Sequence, residues 1–347
     1  MPILSTLLHS TAFSRPFLST LVPSIALAFA LQGAVAVPSA LLQTERFFDI
    51  SGSLTYLSCA ALSLYLPSIR ARHAATLAGT TRPDWPSLLG ALKGAGNAGL
   101  NWRQVVLSAA VGVWASRCES FVPACVGEGL MWGHKVGSYL FRRITSDDGR
   151  DSRFDEIRQS PGKMAGMFLG QAMWVSLCLL PVLSINALPL STFSALPAAV
   201  GVTDVLGLLL YVGGLSFEVI ADRQKNQWVQ DKKQKKHDED FLTRGLWGKS
   251  RHPNYFGEST LWTGIATLSA GVLLSGPGQV GLGLAGYGVL GQAIAAGMCA
   301  VSPGFVSFLL LKVSGIPPSE EKYDKRYGDR KDYQKWKRDV PMFFPKP

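Results

Sequence analysis

Apolar residues run along this chain in stretches of about twenty, the length of helix a hydrocarbon layer roughly 30 Å thick requires. The stretches fall near 20–43, 52–69, 102–117, 164–187, 200–221, 256–276 and 279–312. They predict an all-α, polytopic transmembrane bundle of about seven spans. The last stretch is long and contains Pro303, so it reads as one kinked helix or as a helix plus a re-entrant piece. Its glycines at 281, 283, 286, 288 and 291 suit close helix approach. They are not a dinucleotide fingerprint, because no strand–turn–helix context surrounds them. Arg15 precedes the first stretch, whose length and lack of a small-residue cleavage site favour a retained helix over a removed leader.

The polar blocks orient the bundle. Residues 222–255 hold nine Lys/Arg, 312–347 ten and 136–163 six, whereas 188–199 holds none. Basic loops stay in the cytosol. The C-terminus is therefore expected in the cytosol and the N-terminus outside. The 70–101 loop then lies outside, despite Arg70, Arg72, Arg82 and Lys93.

Composition changes this picture little. Of 347 residues, 47% are hydrophobic and 17% charged, and the mean hydropathy is +0.18. The net charge of +10 raises the question of nucleic acid. The basic residues flank apolar spans, however, where anionic lipid is their neighbour. The expected partner is the lipid bilayer, with no nucleic acid. The five cysteines include no CxxC pair, and Cys59, Cys178 and Cys299 lie inside apolar spans. Neither a disulfide framework nor a metal is expected.

Candidate chemistry concentrates in the C-terminal third. Glu218 and Asp222 stand four apart, on one helix face at the cytosolic end of the fifth span. Asp204 joins that face, since 204, 211 and 218 are seven apart. A carboxylate inside a span needs a partner or a wet cavity; at a helix end it can also snorkel into the head groups, an equal account of Asp222. The run Arg251-His252-Pro253-Asn254-Tyr255-Phe256-Gly257-Glu258 opens the sixth span, and Pro253 suits a first helical turn. Asn254, Glu258 and Trp262 fall on one stripe, with Tyr255 beside it. Arg251 and His252 sit at the positive end of the helix, where phosphate or pyrophosphate fits. Anchoring in the head-group layer is the plain alternative. The basic tail, with Tyr327 and Tyr333, either lies on the membrane surface or closes its Arg and Tyr residues over a nucleotide.

Further motifs are Asp49-Ile-Ser-Gly-Ser, Trp114-Ala-Ser-Arg117, Gly137-Ser-Tyr-Leu-Phe-Arg142-Arg143, Asp151-Ser-Arg153-Phe and the stretch from Gln171 to Pro181. Together these resemble the DUF1295 branch of the membrane family that shares the C-terminal domain of steroid 5-alpha-reductases. The similarity covers most of the chain and is strongest from Glu218 to Trp262. Sterol reductases carry a related version of the Arg251–Glu258 motif, and isoprenylcysteine carboxyl methyltransferases share its Arg-His-Pro core. The resemblance implies seven helices with NADPH inside the bundle, reached from the cytosol, and a lipid-soluble substrate. It implies cofactor contacts at Glu218, Asp222, Asn254 and Glu258, phosphate binding at Arg117, and a polar contact near Arg143. Two departures accompany it. The Glu218 position is an Asn in well-known reductases. Residues 118–135 separate Arg117 from a motif that follows directly in the family, and they read as an insertion or a translated intron.

The expected organisation is thus 1–117 as N-terminal helices, 118–135 as an insertion, and 136–347 as a steroid-reductase-like domain. The expected function is that of an oxidoreductase acting on CH–CH groups: NADPH-dependent reduction of a carbon–carbon double bond in a lipid or steroid-like enone, in the endoplasmic reticulum. Arg251, His252 and Arg117 balance the phosphates in this reading, with Tyr327 and Tyr333 as tail contacts. Tyr255 and Glu258 are the catalytic candidates. The rivals are an S-adenosylmethionine-dependent methyltransferase and a non-catalytic protein of the same fold.

Overall fold

The computed structural model describes residues 2–95, 98–120, 155–197 and 200–347. Arg143 and residues 121–135 of the expected insertion lie outside them. Among the described residues the secondary structure is helical, with no strand. The helices are α1 (Pro2–Ser10), α2 (Pro16–Leu41), α3 (Phe48–Leu77), α4 (Leu88–Leu92), α5 (Trp102–Ser120), α6 (Asp155–Arg158) and α7 (Pro161–Asn186). They continue with α8 (Leu190–Ser194), α9 (Val202–Lys233), α10 (Pro253–Leu273), α11 (Gly276–Leu282), α12 (Val289–Phe308), α13 (Ile316–Tyr327) and α14 (Lys331–Asp339).

Each expected span falls on a helix, but not every helix qualifies as a span. α2, α7, α9 and the run from Val289 to Tyr327 are long and apolar enough to cross a membrane, and α10 with α11 makes a fifth if that bent pair is one span. The apolar stretch of α3 is interrupted by Ser51, Ser53, Thr55, Tyr56, Ser63 and Tyr65, and α5 carries Arg103 and Arg117, which lowers their apolarity. Among the described residues four or five spans are therefore supported, where the pattern predicts about seven. The last apolar stretch breaks between α11 and α12, at Gly283 and Gly288 with φ of +72° and +52°, a region that favours glycine. Pro303, where a kink was expected, lies within α12.

The chain forms two compact units, Met1–Ala199 with Val272–Met298 and Val200–Gly271 with Cys299–Pro347. In the first, α7 packs along α2, and α3 lies against α2, α5 and α7. Buried amides join these helices. Gln32 Nε2 donates to Thr55 Oγ1 at 2.8 Å, and Gln171 Nε2 donates to the Phe48 carbonyl at 3.1 Å. Asn186 Nδ2 donates to Ser63 Oγ at 2.9 Å and Ser108 Oγ at 3.0 Å. Such bonds hold helices in register where no water competes. Arg70 donates to the carbonyls of Leu8, Thr11 and Ser19, tying α1 and the start of α2 to α3.

In the second unit α9 and α10 meet along glycine. A Cβ built on Gly214 would stand 2.5 Å from the Leu261 nitrogen and 2.7 Å from the Gly257 carbonyl oxygen. One on Gly264 would stand 2.5 Å from the Tyr211 nitrogen, and one on Gly207 2.8 Å from the Gly264 carbonyl oxygen. Backbone thus packs on backbone, and only glycine leaves room. Asp204 has a structural task at this end: its carboxylate accepts the Gly201 N–H at 2.8 Å, capping α9.

Candidate functional site

The glycine contacts fix which parts of α9 and α10 lie side by side. A Cβ on Gly257 would meet the Glu218 nitrogen at 2.7 Å, so Glu218 sits beside the first turns of α10. Glu218 and Asp222 are buried, as are Asp204 and Tyr211, which agrees with the seven-residue steps that put 204, 211 and 218 on one face. The next turns of α9 receive the Gly245–Gly248 3₁₀ turn. Trp247 Nε1 donates to the Ala221 carbonyl at 2.8 Å, and the Leu246 N–H donates to Gln224 Oε1 at 2.8 Å. This docking delivers the chain to Arg251 and His252, both buried.

The C-terminal segment closes over that approach. The Arg251 N–H donates to the Pro341 carbonyl at 2.9 Å, Ser250 Oγ donates to the Phe343 carbonyl at 2.8 Å, and the Lys346 N–H donates to the Lys249 carbonyl at 3.0 Å. The Arg251 guanidinium also donates to the Lys337 carbonyl. Phe343 and Phe344 pack edge-on against Phe256. Glu320 of α13 reaches back to the same place. Its carboxylate lies 2.9 Å from His252 Nε2, 3.2 Å from Arg251 Nε and 3.2 Å from Lys337 Nζ. α13 is the charged end of the Val289–Tyr327 run, whose uncharged part stops at Leu311, so this cluster lies beyond the apolar part that would cross a membrane. Burial alone would raise the Glu320 carboxyl. The hydrogen bond from His252 and the charges of Arg251 and His252 outweigh it and hold the group down at about 2. Tyr333 is pushed up, first by burial and then by its hydrogen bond to Asp324.

Between these elements lies a cleft of about 50 Å³. Lys225, Arg251, His252, Asn254 and Glu320 give it a polar wall. Trp228, Trp247, Tyr255, Tyr323, Tyr333 and Trp336 give it an aromatic one. Several rings already carry a cation: Lys225 Nζ stands 5.0 Å from the Trp247 centroid, and Lys337 Nζ 6.0 Å from that of Tyr333. Asn254 Oδ1 and Trp336 Nε1 are buried without a hydrogen-bond partner among the described residues.

Five residues expected from sequence therefore line one cleft: Arg251, His252, Asn254, Tyr255 and Tyr333. Tyr327 is buried beside it, its ring 5.9 Å from Phe241 and 6.1 Å from Tyr333. Glu218, Asp222 and Glu258 are carried by α9 and α10 but do not line the cleft. Arg117 lies near the end of α5, in the other unit. Sequence reasoning passed over Lys225, Trp228, Trp247, Trp336 and above all Glu320. The one available signal for Glu320 was the adjacent acidic pair Glu320-Glu321, in a tail whose other acids, Asp324, Asp329, Asp332 and Asp339, stand singly among ten Lys/Arg. No group of three His, Cys, Asp or Glu side chains that could hold a metal occurs among the described residues.

A family profile described as a protein of unknown function, DUF1295, matches residues 125–277 and 280–340. No curated protein and no solved structure matches the chain.

Proposed function

Since this chain belongs to the DUF1295 family and carries helices able to cross a membrane, we propose that it is an NADPH-dependent reductase of the steroid-reductase-like group. Its substrate is a carbon–carbon double bond conjugated to a carbonyl, in a lipid or steroid-like enone dissolved in the bilayer of the endoplasmic reticulum. The basic tail sets the cleft on the cytosolic side.

The observation that supports this most is the cleft itself, where basic groups and aromatic faces meet. Lys225, Arg251, His252 and the neighbouring Lys337 suit a ligand's phosphates. Trp228, Trp247 and Trp336 offer surface to a planar base. Protein cations already face Trp247 and Tyr333, which favours an anionic ligand over the sulfonium of S-adenosylmethionine. Asn254 Oδ1 and Trp336 Nε1, buried and unsatisfied among the described residues, supply an acceptor and a donor for ribose or an amide.

When bound, NADPH supplies a hydride to the β carbon of the enone. The chain's own part is to bind the phosphates, exclude water and present a proton to the carbonyl oxygen. Tyr255, its ring stacked 5.5 Å from that of His252, and Glu258, about one turn along α10, are the proposed donors. A cleft of about 50 Å³ holds only a few waters, so α13 and α14 shift to admit a dinucleotide.

The test is thermal shift of the protein purified in detergent, with NADPH, NADH and S-adenosylmethionine side by side. NADPH is expected to raise the midpoint, because a ligand bound only by the folded state stabilises it. Asn254→Ala should abolish the rise. A rise with S-adenosylmethionine alone overturns the reading and points to methyl transfer.

A further inference from the structure

The Glu320 carboxylate occupies a place built for an anion. Oε1 faces His252 Nε2 and Arg251 Nε, and Oε2 faces Lys337 Nζ. Two oxygens shared among three nitrogen groups is also how a phosphate is held. The nitrogens come from two places far apart in sequence, the approach to α10 and α14, and the carboxylate from a third, α13. Asp324, one turn further along α13, does not duplicate the arrangement: it takes Lys337 and the Tyr333 hydroxyl. Glu321 points elsewhere, pairing with Lys325 at 2.6 Å.

Taking the cleft as a nucleotide site, we propose that Glu320 is an internal stand-in for the ligand's phosphate: it fills the seat made by Arg251, His252 and Lys337 in the resting protein, and a phosphorylated ligand binds by displacing it. Both anions cannot share the seat, since like charges brought together in a partly buried cleft repel. The carboxylate leaves with α13. The chain entering α13 passes through a π-helical turn, Leu309–Val313, an irregularity often found at functional positions, and then Gly315, where a Cβ would meet the Leu310 carbonyl oxygen at 2.6 Å. The closed cleft, too small for a dinucleotide, is the self-occupied state.

Calorimetric titration of the full-length protein in detergent tests this, with inorganic pyrophosphate and NADPH as probes. The variants are Glu320→Gln and, as a control for charge on the same helix, Glu321→Gln. Removing the internal competitor raises the fraction of binding-competent protein, so E320Q should bind both probes roughly tenfold more tightly. E321Q should match the wild type. If E320Q does not melt cooperatively, Glu320→Asp, one methylene short of the seat, carries the same expectation. Binding by E320Q that is unchanged or weaker overturns the stand-in. Unchanged NADPH affinity in E320Q would do so while leaving the cofactor reading intact. Tighter pyrophosphate binding with no NADPH response in any variant would keep the seat and end the nucleotide reading. Competition by phosphatidic acid in the micelle would then identify a lipid head group as the source of the phosphate.

Discussion

Arg251 makes contacts in two directions: its backbone N–H goes to Pro341, and its guanidinium to the Lys337 carbonyl and to Glu320. This residue, with His252, Asn254 and Tyr255, was legible in the sequence because the four are contiguous and open a helix. Glu320 was not, because it returns from 68 positions away and no local pattern says which acid of the tail comes back. Its carboxyl carries a pH signature. A folded value of about 2 against an ordinary 4.5 means its contribution is fully present above 4.5 and is lost as pH falls toward 2. The wild type should therefore melt above E320Q near neutrality, and the gap should narrow steadily as pH is lowered through that window. Parallel melting curves across it would show that Glu320 carries no such charge coupling. Tyr327 illustrates the converse limit. A tyrosine in a basic tail reads the same whether it faces a ligand or packs among Phe241, Tyr323 and Tyr333.

At the scale of elements, α9 and α10 depend on positions where nothing larger than hydrogen fits. Gly214→Ala or Gly257→Ala forces a methyl into backbone atoms that cannot swing aside, and overpacking of this kind typically costs about 1–3 kcal/mol. Either variant should lower the melting midpoint in detergent by several degrees. Gly213→Ala, with nothing within 4 Å, should leave it unchanged. Equal behaviour of all three would sink the close-packing account. The sequence did reveal that small residues mattered, but attention fell on the glycines from 281 to 291, where Gly283 and Gly288 serve a chain break. The seven-residue steps 207–214 and 257–264 were equally visible. What was missing was the pairing, since either helix alone looks merely glycine-containing. The segment after Val340 is the second such element. Ending the chain there removes the carbonyls that satisfy Arg251 and Ser250, and a lower midpoint with a weakened NADPH response is the expected result. A truncated protein matching the full chain in both would mean that the strap is dispensable.

At the scale of the molecule, the helical membrane fold was legible because long apolar runs have few other uses. The number of crossings was less so. α3 and α5 fall short of span-like apolarity, and some of the polar groups responsible are engaged by neighbours: Thr55 by Gln32, Ser63 and Ser108 by Asn186. A one-dimensional pattern weighs such groups as if they faced lipid. The division into two compact units was equally hidden, because the first unit takes up Val272–Met298 after the second has begun.

The glycine seam also bears on how this sequence can change over time. A hole left by one substitution in a core can be refilled by a larger neighbour. Here Gly207 and Gly214 face Gly264 and Gly257, both sides are already at minimum size, and no second change can make room for the first. Descent with modification is therefore expected to hold all four glycines wherever the helix pair is kept, because an alanine at any one of them carries a cost that no neighbouring substitution relieves.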